Sequence, residues 1–180
     1  MIDFTKSKQY TLSIRLSTDG FSFSIYNPIH DDSLSIIEKE IDTSLSLTAN
    51  LKAVFHESDF LNHPYKRVNI MMASKRFTIA PLDLFEEGQA ELLFYHNHQK
   101  RENETVLYNI LRKNNVAVIF GIDKSAQTFL NEQYPEARFY SQSTPFIDYF
   151  SVKSRLGNSK KMYASIRKDG IDIYCFERGH

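Results

Sequence analysis

Thr18, Asp19 and Gly20 have the side chains and the backbone freedom that a phosphate-binding turn requires. A hydroxyl could donate a hydrogen bond to a phosphate oxygen, a carboxylate could hold phosphate through magnesium, and a glycine lets the backbone approach closely. The same Asp-Gly pair is also typical of an ordinary tight β-turn. The strand before the turn contains Arg15 and no carboxylate, so the ordinary turn is favoured and nucleotide binding remains the alternative.

Histidines form a second group that could do chemistry. His96 and His98 lie two residues apart in a polar segment, and His30 is followed by Asp31 and Asp32. Zinc sites with a recognisable sequence have ligands at short, repeated spacings, which this group lacks. We therefore predict solvated loop histidines and no metal site.

Cys175 is the only cysteine among the 180 residues, so the chain has no internal disulfide. In a strand it falls on the same side as Ile171 and Ile173, opposite Asp172 and Tyr174. This pattern predicts a small buried hydrophobe on the inward side of its strand. A single cysteine is also typical of a reducing compartment, so we expect a cytoplasmic protein.

The charge of the chain excludes some classes of partner. Lys and Arg number 22 and Asp and Glu number 22, which gives a formal net charge of zero. Nucleic acids and anionic membranes attract proteins with an excess of positive charge. No apolar run is long enough to span a bilayer. We expect neither nucleic acid nor membrane as a partner.

Two predicted β-hairpins position the residues described above. Between Tyr10 and Tyr26, apolar and polar residues alternate on both sides of Asp19-Gly20, the pattern of half-buried strands. Ser13-Ile14-Arg15 before this turn returns near the C-terminus as Ser165-Ile166-Arg167, followed by Asp169-Gly170. The second copy is two residues shorter before its turn, and a difference of two keeps every side chain on its original face. The sequence therefore predicts an internal repeat of the hairpin.

Helices and further strands are predicted between the two hairpins. After the first hairpin we expect a strand over 34–41, a helix over 47–55 capped by Ser44 or Ser46, and a buried strand over 67–73. An insertion over about 74–115 contains a helix over 84–95 and leads into a hairpin. The strands of that hairpin span 106–111 and 116–122. The remaining predicted elements are a helix over 124–133 capped by Asp123, a strand over 138–141 and a helix that begins near Ser143.

The order of these elements resembles that of the ribonuclease-H-like unit duplicated in actin, sugar kinases and heat-shock chaperones. The segments LSIRLSTDGFSF (12–23) and SKRFTIAPLDLF (74–85) resemble an uncharacterised bacterial family with an actin-like ATPase fold. The resemblance implies an α/β protein with a mixed, α+β type of sheet. Because members have a complete second unit, this chain resembles a C-terminally truncated one. The implied domains are a first ribonuclease-H-like unit over 1–155 with its insertion at 74–115, a linker over 156–161, and the opening hairpin of an incomplete second unit over 162–180.

The resemblance also implies what a nucleotide site would need. In active relatives an acidic residue late in the first strand serves the metal, and the turn contacts the phosphates. The strand before Asp19 lacks that carboxylate, so we expect a non-catalytic interaction module with a degenerate nucleotide site and no cofactor. Its partner would be a protein or a second copy, bound through the second hairpin. The alternative is an ATPase or phosphotransferase that binds Mg-ATP at Thr18, Asp19 and Gly20 and is completed by a second unit.

Overall fold

A computed structural model describes residues 2–28, 33–156, 159–167 and 170–177. The chain divides into two compact units. Unit 1 comprises Met1–Lys75, Lys100–Thr105 and Gly121–Tyr140, and unit 2 comprises Arg76–Gln99, Val106–Phe120 and Ser141–His180.

Strands and helices alternate in the mixed α/β arrangement that the sequence predicted. The strands are β1 (Thr11–Ser17), β2 (Gly20–Asn27), β3 (Ser33–Lys39), β4 (Arg67–Ala73), β5 (Phe77–Pro81), β6 (Glu104–Leu111), β7 (Val116–Asp123), β8 (Arg138–Ser141), β9 (Lys160–Arg167) and β10 (Gly170–Glu177). The α-helices are α1 (Leu47–Glu57), α2 (Ala90–Asn97), α3 (Lys124–Gln133) and α4 (Ser143–Ser154). The strand orders are β3-β2-β1-β4-β8 in one sheet, β5-β7-β6 in a second and β10-β9 in a third.

The predicted first hairpin is confirmed. β1 and β2 are antiparallel with Ser17 opposite Gly20, and β1 lies parallel to β4 with Ile14 opposite Ile70. Buried and half-buried residues alternate along both strands of the hairpin. One side of this pair therefore contributes a continuous apolar layer to the core of unit 1. Its fully or almost fully buried members are Leu12, Ile14, Leu16, Phe21, Phe23 and Ile25.

Ser46 is the residue that caps α1. Its hydroxyl accepts a hydrogen bond from the backbone N–H of Ala49 at 3.2 Å, which satisfies one of the free donors of the first turn. Leu51 and Phe55 of this helix are buried at helical spacing. The helix predicted over 47–55 is thus confirmed and extends to Glu57.

The helix predicted over 84–95 begins later than expected. Its α-helical part, α2, starts at Ala90, and two short 3-10 helices occupy Leu82–Leu84 and Glu87–Gln89. Leu84 and Leu92 are exposed rather than part of a buried face. Gly88 and the glutamates before it interrupt the apolar spacing, and Phe94 is instead the fully buried anchor, packed with Ala80, Ala90 and Ile119.

The second hairpin is also confirmed, but the side predicted to be buried is wrong. β9 and β10 are antiparallel, with Tyr163 opposite Tyr174. Tyr174 and Phe176 are buried against Ile147 of α4, and Cys175 is exposed with Ile171 and Ile173. The outward side is the more regularly apolar one, because the side that packs on α4 also contains Lys161, Ser165 and Asp172, so alternation favours the wrong side. The buried side is instead decided by its aromatic residues, which pack on those of α4.

The aromatic contacts between the second hairpin and α4 are extensive. Tyr163 stacks on Phe150 with ring centroids 4.3 Å apart and planes 9° from parallel. Tyr174 meets Phe146 edge to face at 5.7 Å and Phe150 at 5.6 Å. This cluster holds the hairpin within unit 2.

Among the described residues, no helix has both the length and the apolar composition needed to cross a membrane.

Candidate functional site

The turn between β1 and β2 brings Thr18, Asp19 and Gly20 to the surface. Thr18 and Asp19 are exposed, and the Asp19 carboxylate accepts a hydrogen bond from the Ser17 hydroxyl. The turn thus presents a carboxylate, a hydroxyl and a glycine side by side, as a phosphate-binding turn would. Whether these three residues bind nucleotide remains a prediction.

Gly20 has a structural role of its own. Its φ of +148° is a backbone conformation that residues with a Cβ rarely adopt. A Cβ at this position would lie 2.9 Å from the backbone oxygen of Lys39, at the end of β3. The close approach of this turn to the end of β3 therefore requires glycine at position 20, whether or not the turn binds a ligand.

The histidines that the structure describes do not form a shared metal-binding group. His96 is exposed in the last turn of α2. The prediction of a solvated histidine is wrong for His98, which lies 4.5 Å from the Phe94 ring with Nε2 3.1 Å from the backbone oxygen of Phe77. His30, Asp31 and Asp32 fall outside the described residues. Among the residues that are described, no group of three or more His, Cys, Asp or Glu side chains could hold a metal ion.

Asp123 links β7, α3 and α1 in unit 1. Its Oδ1 accepts hydrogen bonds from the Ala126 N–H at 2.8 Å and from the Thr48 hydroxyl at 3.2 Å. Its Oδ2 accepts one from Asn103 Nδ2 at 2.7 Å. The predicted cap of α3 is confirmed, and the bonds to Thr48 and Asn103 are additional. Sequence reasoning missed them because those partners lie 75 and 20 residues away along the chain.

An open cleft of about 410 Å³ lies beside this junction. The ammonium of Lys52 lies 5.9 Å from the centre of the Phe129 ring within it. The Asp123 carboxylate already accepts hydrogen bonds from three donors and so acts as a structural acceptor that joins these segments. The residues that line the cleft are Thr48, Lys52, Asn103, Lys124, Ser125, Thr128, Phe129 and Glu132.

The outward side of the second hairpin is apolar up to the ion pair between Lys160 and Glu177 at its open end, and we call its apolar part the outer face. Its cross-strand pairs are Met162 with Cys175, Ala164 with Ile173, and Ile166 with Ile171. The exposed fraction is 70% for Met162, 79% for Ile166 and 60% for both Ile171 and Ile173. A contiguous exposed patch of this kind is typical of a surface that binds another polypeptide. Ile173 and Cys175 also line an apolar cavity of about 230 Å³ in unit 2.

The whole chain, residues 1–180, matches the model of a family described as "Protein of unknown function (DUF3822)". The chain belongs to this family. The resemblance to an uncharacterised family that the sequence suggested is therefore confirmed. A comparison with curated proteins found no match.

A solved structure that is highly similar to this chain has an actin-like ATPase fold. A crystal structure from Bacteroides thetaiotaomicron VPI-5482, described as a protein with an actin-like ATPase fold and unknown function, is 83% identical to this chain with a TM-score of 0.94. The match covers 99% of this chain and 70% of that chain. The predicted actin-like ATPase fold is confirmed by this relative.

A second structure, the "PilM-PilN type IV pilus biogenesis complex", is far less similar. It is 10% identical with a TM-score of 0.47, and the match covers 93% of this chain and 58% of that chain. Likeness at this level supports no conclusion about fold or partners.

Proposed function

We propose that this family member is a cytoplasmic, non-catalytic interaction module that binds protein through its second hairpin. The observation that supports the proposal is the outer face, where three of the four outward cross-strand pairs are apolar and the four largest side chains are 60–79% exposed. The opposite side of the same hairpin packs on α4 through Tyr163, Tyr174 and Phe176.

The hairpin has aromatic residues on the side that packs on α4 and aliphatic residues on the outer face, so both sides have apolar surface to bury, as in strands covered on both sides. Two strands alone are also marginally stable, and their outer edges leave backbone donors and acceptors that can pair with another chain. Both properties favour a hairpin that becomes part of a larger assembly. In this proposal residues 162–180 open a second ribonuclease-H-like repeat, after a first repeat over 1–155 and a linker over 156–161; these repeats are not the compact units 1 and 2 of the structure.

The double variant Ile166→Lys, Ile173→Lys tests the proposal because it places two charges on the outer face. Its matched control is Leu84→Lys, Leu92→Lys, which adds the same charges at leucines 72% and 71% exposed outside the hairpin. We expect the wild type and the control to bind an apolar reporter dye and to associate as concentration rises, measured by fluorescence and by light scattering after gel filtration. The hairpin variant should lose both behaviours. Equal dye binding and a monomeric mass for all three proteins would contradict the proposal.

A second candidate function is Mg-ATP binding by an ATPase or phosphotransferase. The exposure of Thr18 and Asp19 beside Gly20 favours it, because the turn offers phosphate ligands to solvent. A ligand at a hundred times its dissociation constant stabilises the folded state by about 2.7 kcal/mol, which moves a melting midpoint visibly. An upward shift with Mg-ATP that disappears in Asp19→Ala would place this candidate first. An unchanged midpoint in a cooperative melt would contradict it.

A further inference from the structure

The two hairpins can be aligned residue by residue through their shared Ser-Ile-Arg and Asp-Gly segments. Counting back from Ser-Ile-Arg aligns Ile14 with Ile166, and counting forward from Asp-Gly aligns Phe23 with Ile173. The outer face of the second hairpin then corresponds, position for position, to one side of the first. The corresponding pairs are Tyr10 and Met162, Leu12 and Ala164, Ile14 and Ile166, Phe21 and Ile171, Phe23 and Ile173, and Ile25 and Cys175.

The burial of the two corresponding sides is opposite. In the first hairpin each of the six side chains is at most 3% exposed, as in Tyr10 at 3% and Ile14 at 0%. In the second hairpin all six positions are exposed, as in Ile166 at 79%. The side that builds the core of unit 1 is therefore the side that the second hairpin leaves open to solvent.

One element that packs on this side in unit 1 follows the first hairpin along the chain. Phe23 packs edge to face against Phe60 of the short 3-10 helix Asp59–Asn62, with ring centroids 5.6 Å apart. α1 directly precedes that short helix and buries Leu51 and Phe55. A polypeptide with amphipathic helices is thus the kind of partner that this side of a hairpin accepts.

The 83% identical relative has additional chain from which such a partner polypeptide can come. The match covers 70% of that chain, so the remaining 30% has no counterpart among these residues. We infer that the outer face is the binding site for that remaining part of the longer chain, supplied in cis or in trans. The inference rests on the proposed function and names the partner of the same surface.

Cys175 provides a direct readout, because it is exposed on the outer face and is the only cysteine of the chain. The probe is the unmatched 30% of the Bacteroides protein, made without cysteine and co-expressed with the full 180-residue chain. The measurement is co-purification of the two polypeptides, followed by the rate at which a thiol reagent labels Cys175. With the probe at a hundred times its dissociation constant, about one chain in a hundred is free, so labelling should slow about a hundredfold.

Two double variants distinguish specific binding at the outer face from nonspecific hydrophobic association. Ile166→Lys with Ile173→Lys should abolish co-purification and restore rapid labelling of Cys175. Leu84→Lys with Leu92→Lys should leave both results as in the wild type. Equal behaviour of the two double variants would overturn the inference.

Three further outcomes would also overturn it. If the chain and the probe do not co-purify, or if labelling of Cys175 is equally fast with and without the probe, the outer face does not bind that segment. If the chain alone, at the same total concentration, protects Cys175 as strongly as the probe does, the partner is a second copy. In that last case the proposed function stands and only the named partner fails, whereas an outer face that binds neither the probe nor a second copy refutes both.

Discussion

Gly20 is the residue of the candidate turn whose role can be tested independently of any ligand. Gly20→Ala should lower the free energy of unfolding by about 1–3 kcal/mol, because alanine is strained at a φ of +148° and its Cβ would lie 2.9 Å from the Lys39 oxygen. Gly88→Ala is the matched control, since a Cβ there meets nothing within 4 Å. It should be neutral or stabilising by up to about 1 kcal/mol. Urea unfolding of both variants measures the difference, and equal stabilities would contradict the argument.

Tyr134 and Tyr65 make a pH-dependent contribution to stability. Tyr134 donates a hydrogen bond to the Leu61 oxygen at 2.6 Å, and Tyr65 donates one to the Phe60 oxygen at 2.6 Å. Burial raises the pKa of Tyr65 to about 12, and it also raises the pKa of Tyr134 well above the ordinary value, with a smaller effect from Tyr65. Folding therefore favours the protonated phenols.

The direction of the pH dependence follows from these raised pKa values. The stabilisation is complete below the ordinary tyrosine pKa of about 10 and declines as pH rises towards the folded-state values. Tyr134→Phe should cost about 1 kcal/mol at neutral pH through the lost hydrogen bond and should flatten the loss of stability above about pH 10. Tyr149→Phe, at a side chain 56% exposed, is the control and should change neither quantity. Denaturant unfolding across the alkaline range provides the measurement, and parallel curves for wild type and Tyr134→Phe would contradict the prediction.

At the residue scale, the sequence predicted local roles better than distant contacts. Ser46 and Asp123 were identifiable as caps because an N-cap acts on an N–H three residues away. The packing of His98 on Phe94 and Phe77 was missed, since a polar run gives no sign that a ring within it is held by a neighbouring strand. Gly20 was recognisable as a turn residue, but its close approach to Lys39 depends on where β3 ends.

At the element scale, Asp123 couples the start of α3 to two other segments. Asp123→Ala should cost about 2 kcal/mol or more, because it removes the cap and also leaves the Thr48 and Asn103 donors without this acceptor. Ser46→Ala removes a cap alone and should cost about 1 kcal/mol. Thermal unfolding monitored by far-UV circular dichroism compares the two. Equal losses would mean that the bonds to Thr48 and Asn103 contribute nothing.

The elements themselves were largely predictable, and the exceptions have a common physical cause. β1, β2 and α1 have one apolar side, so periodicity identifies both the element and its buried side. In β9 and β10 the aliphatic residues share one side and the aromatic residues share the other with Lys161, Ser165 and Asp172, so periodicity favours the side that is in fact exposed. The stacking of Tyr163 on Phe150 decides the outcome, and it depends on the position of α4 in space.

At the scale of the whole molecule, the zero net charge and the exposed apolar outer face both favour association between copies. A protein without net charge has little electrostatic repulsion between copies, and an exposed apolar patch then favours association. We expect a solubility minimum near neutral pH. Ile166→Lys with Ile173→Lys should raise solubility there more than Leu84→Lys with Leu92→Lys, although both variants add the same charge. Equal gains, measured by precipitation with ammonium sulfate, would mean that charge alone is responsible.

The overall fold was predictable because the order of strands and helices, with the segments around Asp19 and Pro81, resembled a family of actin-like fold, and the family match and the 83% identical structure confirm that resemblance. The candidate site was predictable only as a turn. Nucleotide binding depends on groups that several segments bring together in space, and local spacing does not encode their distances.

The aromatic cluster on α4 gives the molecule an optical signal of its own. The chain has no tryptophan and ten tyrosines, so its near-ultraviolet spectrum above the phenylalanine bands comes mainly from tyrosine. Tyr163 and Tyr174 are held at fixed angles to Phe150, an asymmetric environment that gives an aromatic ring a strong circular dichroism band. Release of the second hairpin from α4 should therefore erase part of the tyrosine band while the helical signal persists. Spectroscopy of the unlabelled protein can follow that step separately from the loss of secondary structure.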